Sequence, residues 1–210
     1  YLSVRRHQRI VAALQDLTAR GNGRIELLPS DRRVEAERLT KDPAELALFR
    51  RAGELLDRVA ADVLASLRVG QIEREVAAEI DFRLKMGGFE GLAFDTIVAS
   101  GPNSALPHAR PGSRAFTPGD LVVLDFGGVY DGYCVDLTRT VCVGEPSAEA
   151  QCLYDAVLEA QMAALAIIRP GVRVSEVDQA ARGVLERRGY GPAFGHATGH
   201  GLGLEVHEEP

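Results

Sequence analysis

Basic charge is in short supply in this chain. Its 210 residues carry 30 Asp and Glu against 24 Lys and Arg, a net charge of −6 with a pI near 5.4. Nucleic-acid binding needs a basic face, so the balance argues against that class of partner. Long apolar runs are missing too. None approaches the ~18 residues of a membrane span, and no membrane partner is expected. Cysteine is scarce: Cys134, Cys142 and Cys152 are odd in number and form no C-x-x-C pair, so free thiols of a cytoplasmic protein are the expectation. Residue 1 is Tyr, with no hydrophobic signal region after it, which reads as an incomplete gene product.

What is present is ordinary globular material, 46% apolar and 26% charged, with ten prolines and 22 glycines. That length supports one sizeable core, or a domain and a remnant. Residues 2–20 place Val4, Ile10, Val11, Leu14 and Leu17 near helical spacing and lead into a short apolar strand candidate, IELLP, at 25–29. The expected organisation is a remnant of a preceding domain with its linker over 1–38, followed by one domain over 39–210. A basic membrane-surface helix is the rival for 2–20.

From Asp42 the signals sharpen. Asp-Pro-Ala-Glu supplies an N-cap, a proline at N1 and Glu45 at N3 for a capping box. The apolar stripe behind it includes Leu46, Phe49, Leu56, Val59, Val63 and Leu67. A second helix is expected over about 72–86, stopping at Gly87-Gly88. Strands are expected at 95–99, 121–127 and 133–143, then helices from Ser147 to about 168 and from Ser175 to Arg188. A shift of 101 residues superposes Arg68 on Arg169, Gly70 on Gly171, Glu75 on Glu176, Leu84 on Leu185 and Gly88 on Gly189. Two α–β halves follow, with a site expected at their junction. Antiparallel hairpins beside helices make the class α+β.

Within LVVLDFGGVYDGYCVDLTRTV, Asp131-Gly132 is a favoured two-residue turn. It would pair Tyr130 with Tyr133, Gly127 with Asp136 and Asp125 with Thr138. Asp125 and Asp136 then become diagonal neighbours on one face, roughly 7–8 Å apart at the backbone. Aspartate is depleted from strands, and two buried carboxylates without a cation repel and force one to protonate. A divalent ion removes that conflict. Downstream, GHATGHGLGLEVHEEP brings His196, His200 and His207 within twelve residues among close-set glycines. Strand alternation would put His200 and His207 on opposite faces. Either a bulge restores the face or only one binds metal, and the second is expected. His108 lies in the Pro- and Gly-bounded loop SGPNSALPHARPG, a surface position on spacing alone.

Together, IVASGPNSALPHARPG, GDLVVLDFGGVYDGYCVDLTRTVCVGEP and FGHATGHGLGLEVHEEP resemble the metallopeptidases of the pita-bread fold, which include methionine aminopeptidases, aminopeptidase P and Xaa-Pro dipeptidases (prolidases). The match spans about 97–210 and is nearer the proline-specific branch. The resemblance implies two divalent ions, manganese or cobalt ahead of zinc or iron, with Asp125, Asp136 and His200 as ligands and Asp136 bridging. It implies catalytic imidazoles at His108 and His207 that contact the substrate, and a substrate-pocket histidine at His196. It further implies hydrolysis of Xaa-Pro bonds in short proline-containing peptides by a metal-bridging hydroxide, and a homodimer. Family members carry two more metal-binding glutamates on strands beyond the matched stretch, and Glu205, Glu208 and Glu209 do not stand in those motifs. The expectation is therefore a partial chain, truncated in the second half and inactive by itself. A methionine aminopeptidase and a non-catalytic protein-binding module are the alternatives.

Overall fold

The computed structural model describes residues 2–21, 23 and 25–209, which divide into two compact units, Tyr1–Glu37 and Arg38–Pro210. The first unit holds helix α1 (Val4–Ala19), capped where the Ser3 hydroxyl accepts from the Arg6 N–H. Residues 25–29, expected as a strand, are irregular: β-rich composition alone does not make a strand where no neighbouring strand supplies a ladder. A short helix α2 (Arg33–Leu39), which has no periodic apolar signal to announce it, straddles the division.

The second unit begins with α3 (Pro43–Ser66). Its capping box is present: Asp42 Oδ1 accepts from the N–H groups of Ala44 and Glu45, and Glu45 accepts from the Asp42 N–H. Leu56, Val59 and Val63 turn inward as expected, whereas Leu46 lies on the exposed side. Helix α4 (Glu73–Met86) packs beside α3, and together they cover one face of an antiparallel sheet. Strand β3 (Asp120–Tyr130) is central, with β4 (Tyr133–Val143) along one edge and β2 (Ile97–Ser100) and β1 (Gly91–Leu92) in succession along the other. Val122, Leu124, Phe126 and Val135 point into this core with Ile80, Leu84 and Phe116.

Helices α5 (Ala148–Ile167) and α6 (Val174–Arg187) form a second pair around a small alanine-rich core of Ala156, Ala160, Ala164, Ala181, Val184 and Leu185. The internal repeat is visible in the fold. Helices α4 and α6 begin and end 101 residues apart, as do the ends of α3 and α5. The breaks match as well, with left-handed backbone at Gly70 and Gly171 and at Gly88 and Gly189. Among the described residues the second half adds no sheet of its own, only an isolated bridge between Gly201 and Glu208. The class is α+β. Among the described residues, no helix is long and apolar enough to cross a membrane.

Candidate active site

The β3–β4 hairpin has the register that its turn dictates. Asp131 and Gly132 both adopt positive φ, 49° and 80°, as a two-residue turn matched to strand twist requires. Tyr130 pairs with Tyr133, Gly127 with Asp136 and Asp125 with Thr138. Because side chains alternate along a strand, Leu124 and Phe126 enter the core while Asp125 projects from the other face. Thr138 donates its hydroxyl to Asp125 Oδ1 across the hairpin at 2.7 Å.

Asp125, Asp136 and Thr138 line a cavity of about 420 Å³ together with His108, His200 and His207. Phe94, Thr96 and Arg110 complete much of the wall. Burial pushes the Asp136 carboxyl above the ordinary aspartate range, and the negative charge of Asp125 adds to that shift. His200 opposes it, with Nε2 3.3 Å from Asp136 Oδ2. The cavity floor is a place where negative charge is crowded and positive charge is favoured.

The histidine segment is a small hairpin, not a strand, so the alternation expected for it does not apply. Gly201 and Glu208 bridge reciprocally, N–H to C=O, at 2.9 and 3.0 Å. This fold-back puts His200 and His207 on the same side with ring centroids 4.1 Å apart. Glycine is required at Gly201, where a Cβ would lie 2.6 Å from the Glu209 carbonyl oxygen. Three anchors hold the hairpin. The Cys134 N–H of β4 donates to the Gly203 carbonyl at 2.8 Å. Glu208 is gripped by Arg38 and Lys41, and these cations outweigh the effect of burial to hold its carboxyl below the usual range. Upstream, Asp178 accepts from Arg182 and from the N–H and hydroxyl of Thr198, and Arg182 keeps Asp178 low.

His196 does not join the others. It is exposed, packs edge-on against Phe194 at 4.8 Å, and is absent from the cavity wall. Arg182 donates to its carbonyl rather than to its ring. Phe94 and Thr96 are wall residues that the sequence did not point out. The one available signal was Gly127-Gly128 in mid-strand, which marks a close approach. Indeed, a Cβ on Gly127 would lie 2.8 Å from the Phe94 ring.

Two carboxylates supply hard oxygen donors and an imidazole a nitrogen donor of intermediate softness, a set suited to divalent cations. Among the described residues, however, no group of three or more His, Cys, Asp or Glu side chains is spaced to hold an ion by itself. Asp125 is engaged by Thr138 and Asp136 by His200. The donor chemistry fits a metal; the number of converging donors is short.

Residues 47–210 match metallopeptidase family M24. The chain belongs to that family. An uncharacterised peptidase of Bacillus subtilis is 43% identical over 185 residues, which are 88% of this chain and 52% of the relative. An Xaa-Pro dipeptidase of Pyrococcus furiosus is 42% identical over 173 residues, 82% of this chain and 50% of the relative. The crystal structure of an X-Pro aminopeptidase from Thermotoga maritima superposes with a TM-score of 0.89 at 40% identity, covering all of this chain and 57% of that one. The M24 chain described here thus has the pita-bread α+β architecture, and it spans about half the length of the curated relatives it matches.

Proposed function

We propose that this M24 chain supplies one wall of a dinuclear-metal site that hydrolyses Xaa-Pro bonds in short peptides, as a dipeptidase or an aminopeptidase. The observation that carries the reading is the convergence of Asp125, Asp136, His200, His207 and His108 on one cavity. Asp125, Asp136 and His200 would hold metal. Divalent cations there supply Lewis-acid polarisation of a carbonyl and make a water acidic near neutral pH.

The chain's own residues do the rest. Asp125 and Asp136 concentrate negative charge on the cavity floor, and Thr138 fixes the orientation of the Asp125 carboxylate. His207, tilted against His200, and His108 from the 101–111 loop would donate ring N–H groups where negative charge develops on a carbonyl oxygen. An Xaa-Pro amide has no N–H to grip, so recognition has to come from the ring and the free amino end. The Phe94 side of the cavity offers an apolar surface of that kind.

The carboxylate-rich donor set supports manganese or cobalt over the thiolate and imidazole set of structural zinc. Free Cys134, Cys142 and Cys152 support a reducing, cytoplasmic setting. A homodimer rests on the family resemblance alone. The 210 residues by themselves are expected to be inactive, because three metal-binding side chains do not make a dinuclear cage. The test is hydrolysis by the full-length protein of an Ala-Pro dipeptide and a Met-Ala peptide with manganese. Preference for Ala-Pro supports the reading, and preference for Met-Ala replaces it with a methionine aminopeptidase.

A further inference from the structure

Glu73 is the most deeply buried charged side chain in the described structure, with no exposed surface, and it lies outside the cavity. It is the first residue of α4, and its carboxylate is filled with donors. Oε1 accepts from the Ser100 N–H at 2.8 Å, the Ser100 hydroxyl at 2.7 Å and Asn103 Nδ2 at 3.0 Å. Oε2 accepts from the Gly112 N–H at 3.1 Å and from Asn103 at 3.2 Å. Ser100 and Gly112 are the two ends of the loop that carries His108.

The backbone repeats the same arrangement. The Glu73 N–H donates to the Arg114 carbonyl, and the Arg74 N–H to that of Gly112. Arg114 in turn donates to the Ser100 hydroxyl at 2.7 Å and clasps Asp120, the first residue of β3, at 2.6 and 3.0 Å. One carboxylate therefore closes the base of the loop and ties it to the strand bearing Asp125. Between those ends the bonds are local: Gly101–Ala105 form a short 3-10 turn closed by the Leu106 N–H to Asn103 carbonyl bond, and the Ala109 N–H to Leu106 carbonyl and Ser104 hydroxyl to Gly101 carbonyl bonds are likewise internal to the loop.

We infer that Glu73 is a positioning residue for His108: it fixes both ends of the 101–111 loop and so sets where the imidazole stands in the cavity. The inference rests on the proposed role of His108 at the substrate. Glu73→Gln has nearly the same shape but must turn an NH2 toward either the Ser100 donors or the Gly112 N–H, setting donor against donor.

The experiment is a double-mutant cycle in the full-length protein with manganese, combining Glu73→Gln with His108→Ala, alongside hydrogen exchange of residues 101–111. Glu73→Gln should speed exchange in that loop and lower kcat/KM on Ala-Pro by about 10- to 100-fold, the scale of a reacting group displaced by about an ångström. In the His108→Ala background its further effect should shrink below about twofold. Effects that multiply, or loop exchange that does not change, would overturn the inference. Should Glu73→Gln not fold, Asn103→Ala removes two of the same bonds from the loop side and must show the same non-additivity with His108→Ala. An unmodified protein inactive on Ala-Pro would refute the proposed function while leaving the exchange result to decide whether Glu73 holds the loop.

Discussion

The rings of His200 and His207 lie 4.1 Å apart, centroid to centroid, although seven positions separate them in the chain. That proximity exists because Gly201 and Glu208 close a hairpin between them, and it carries both imidazoles to the same cavity as Asp125 and Asp136. Disturbing the hairpin should therefore move two cavity-lining imidazoles at once.

Glu208→Ala tests this. The side chain is 7% exposed and paired with both Arg38 and Lys41, so its loss removes two charge-assisted contacts at once. A destabilisation of about 1–3 kcal/mol is expected, the range for a charge-assisted bond left unmade. The measurement is chemical denaturation, with hydrogen exchange across 200–209 rising in parallel. Unchanged exchange there would show that the ion pairs do not hold the hairpin.

Gly127→Ala probes the other wall. A Cβ there meets the Val135 carbonyl and the Phe94 ring, neither of which can yield without moving β4 or opening the cavity. Overpacking of this kind costs about 1–3 kcal/mol, read as a melting temperature lower by about 2–12 °C for a chain of this size.

Acid stability should depend on Glu73. Burial alone would raise its carboxyl, but the Ser100, Asn103 and Gly112 donors outweigh that and hold it below the ordinary glutamate range. A depressed folded-state value means that the stabilisation is fully present above the unfolded glutamate value, about 4.3, and is lost as pH falls below it toward the folded value. Denaturant midpoints of the unmodified protein should fall on acidification below about pH 4.3, and Glu73→Gln should flatten that fall while lowering stability at neutral pH. Parallel curves for the two proteins would exclude Glu73 as a source of the acid sensitivity.

Much of this site could be read from the chain because its logic is local. Asp131-Gly132 fixes the turn, the turn fixes the register, and the two-residue period fixes which face Asp125 and Asp136 share. Helices α3 to α6 announced themselves through Asp42, Ser147 and the paired glycines at the ends of their repeats. The histidine hairpin was less legible, since a glycine-rich segment has neither period and its shape comes from partners at Cys134, Arg38 and Asp178, remote in sequence. Glu73 was hidden for the same reason. In sequence it is one acidic residue in the first turn of a helix, an ordinary place for it. Only the loop from Ser100 to Gly112, folded over it, makes it buried.

The most direct measurement is cleavage of an Ala-Pro dipeptide by the full-length protein, with and without added manganese, before and after Asp136→Asn. That substitution keeps the shape and removes the charge at the cavity floor beside Asp125 and His200. Metal-dependent hydrolysis should fall by more than about a hundredfold, beyond the 10- to 100-fold that changes around a ligand produce. Asp136→Asn protein that retains full, manganese-dependent activity would contradict the assignment of this cavity as the metal site.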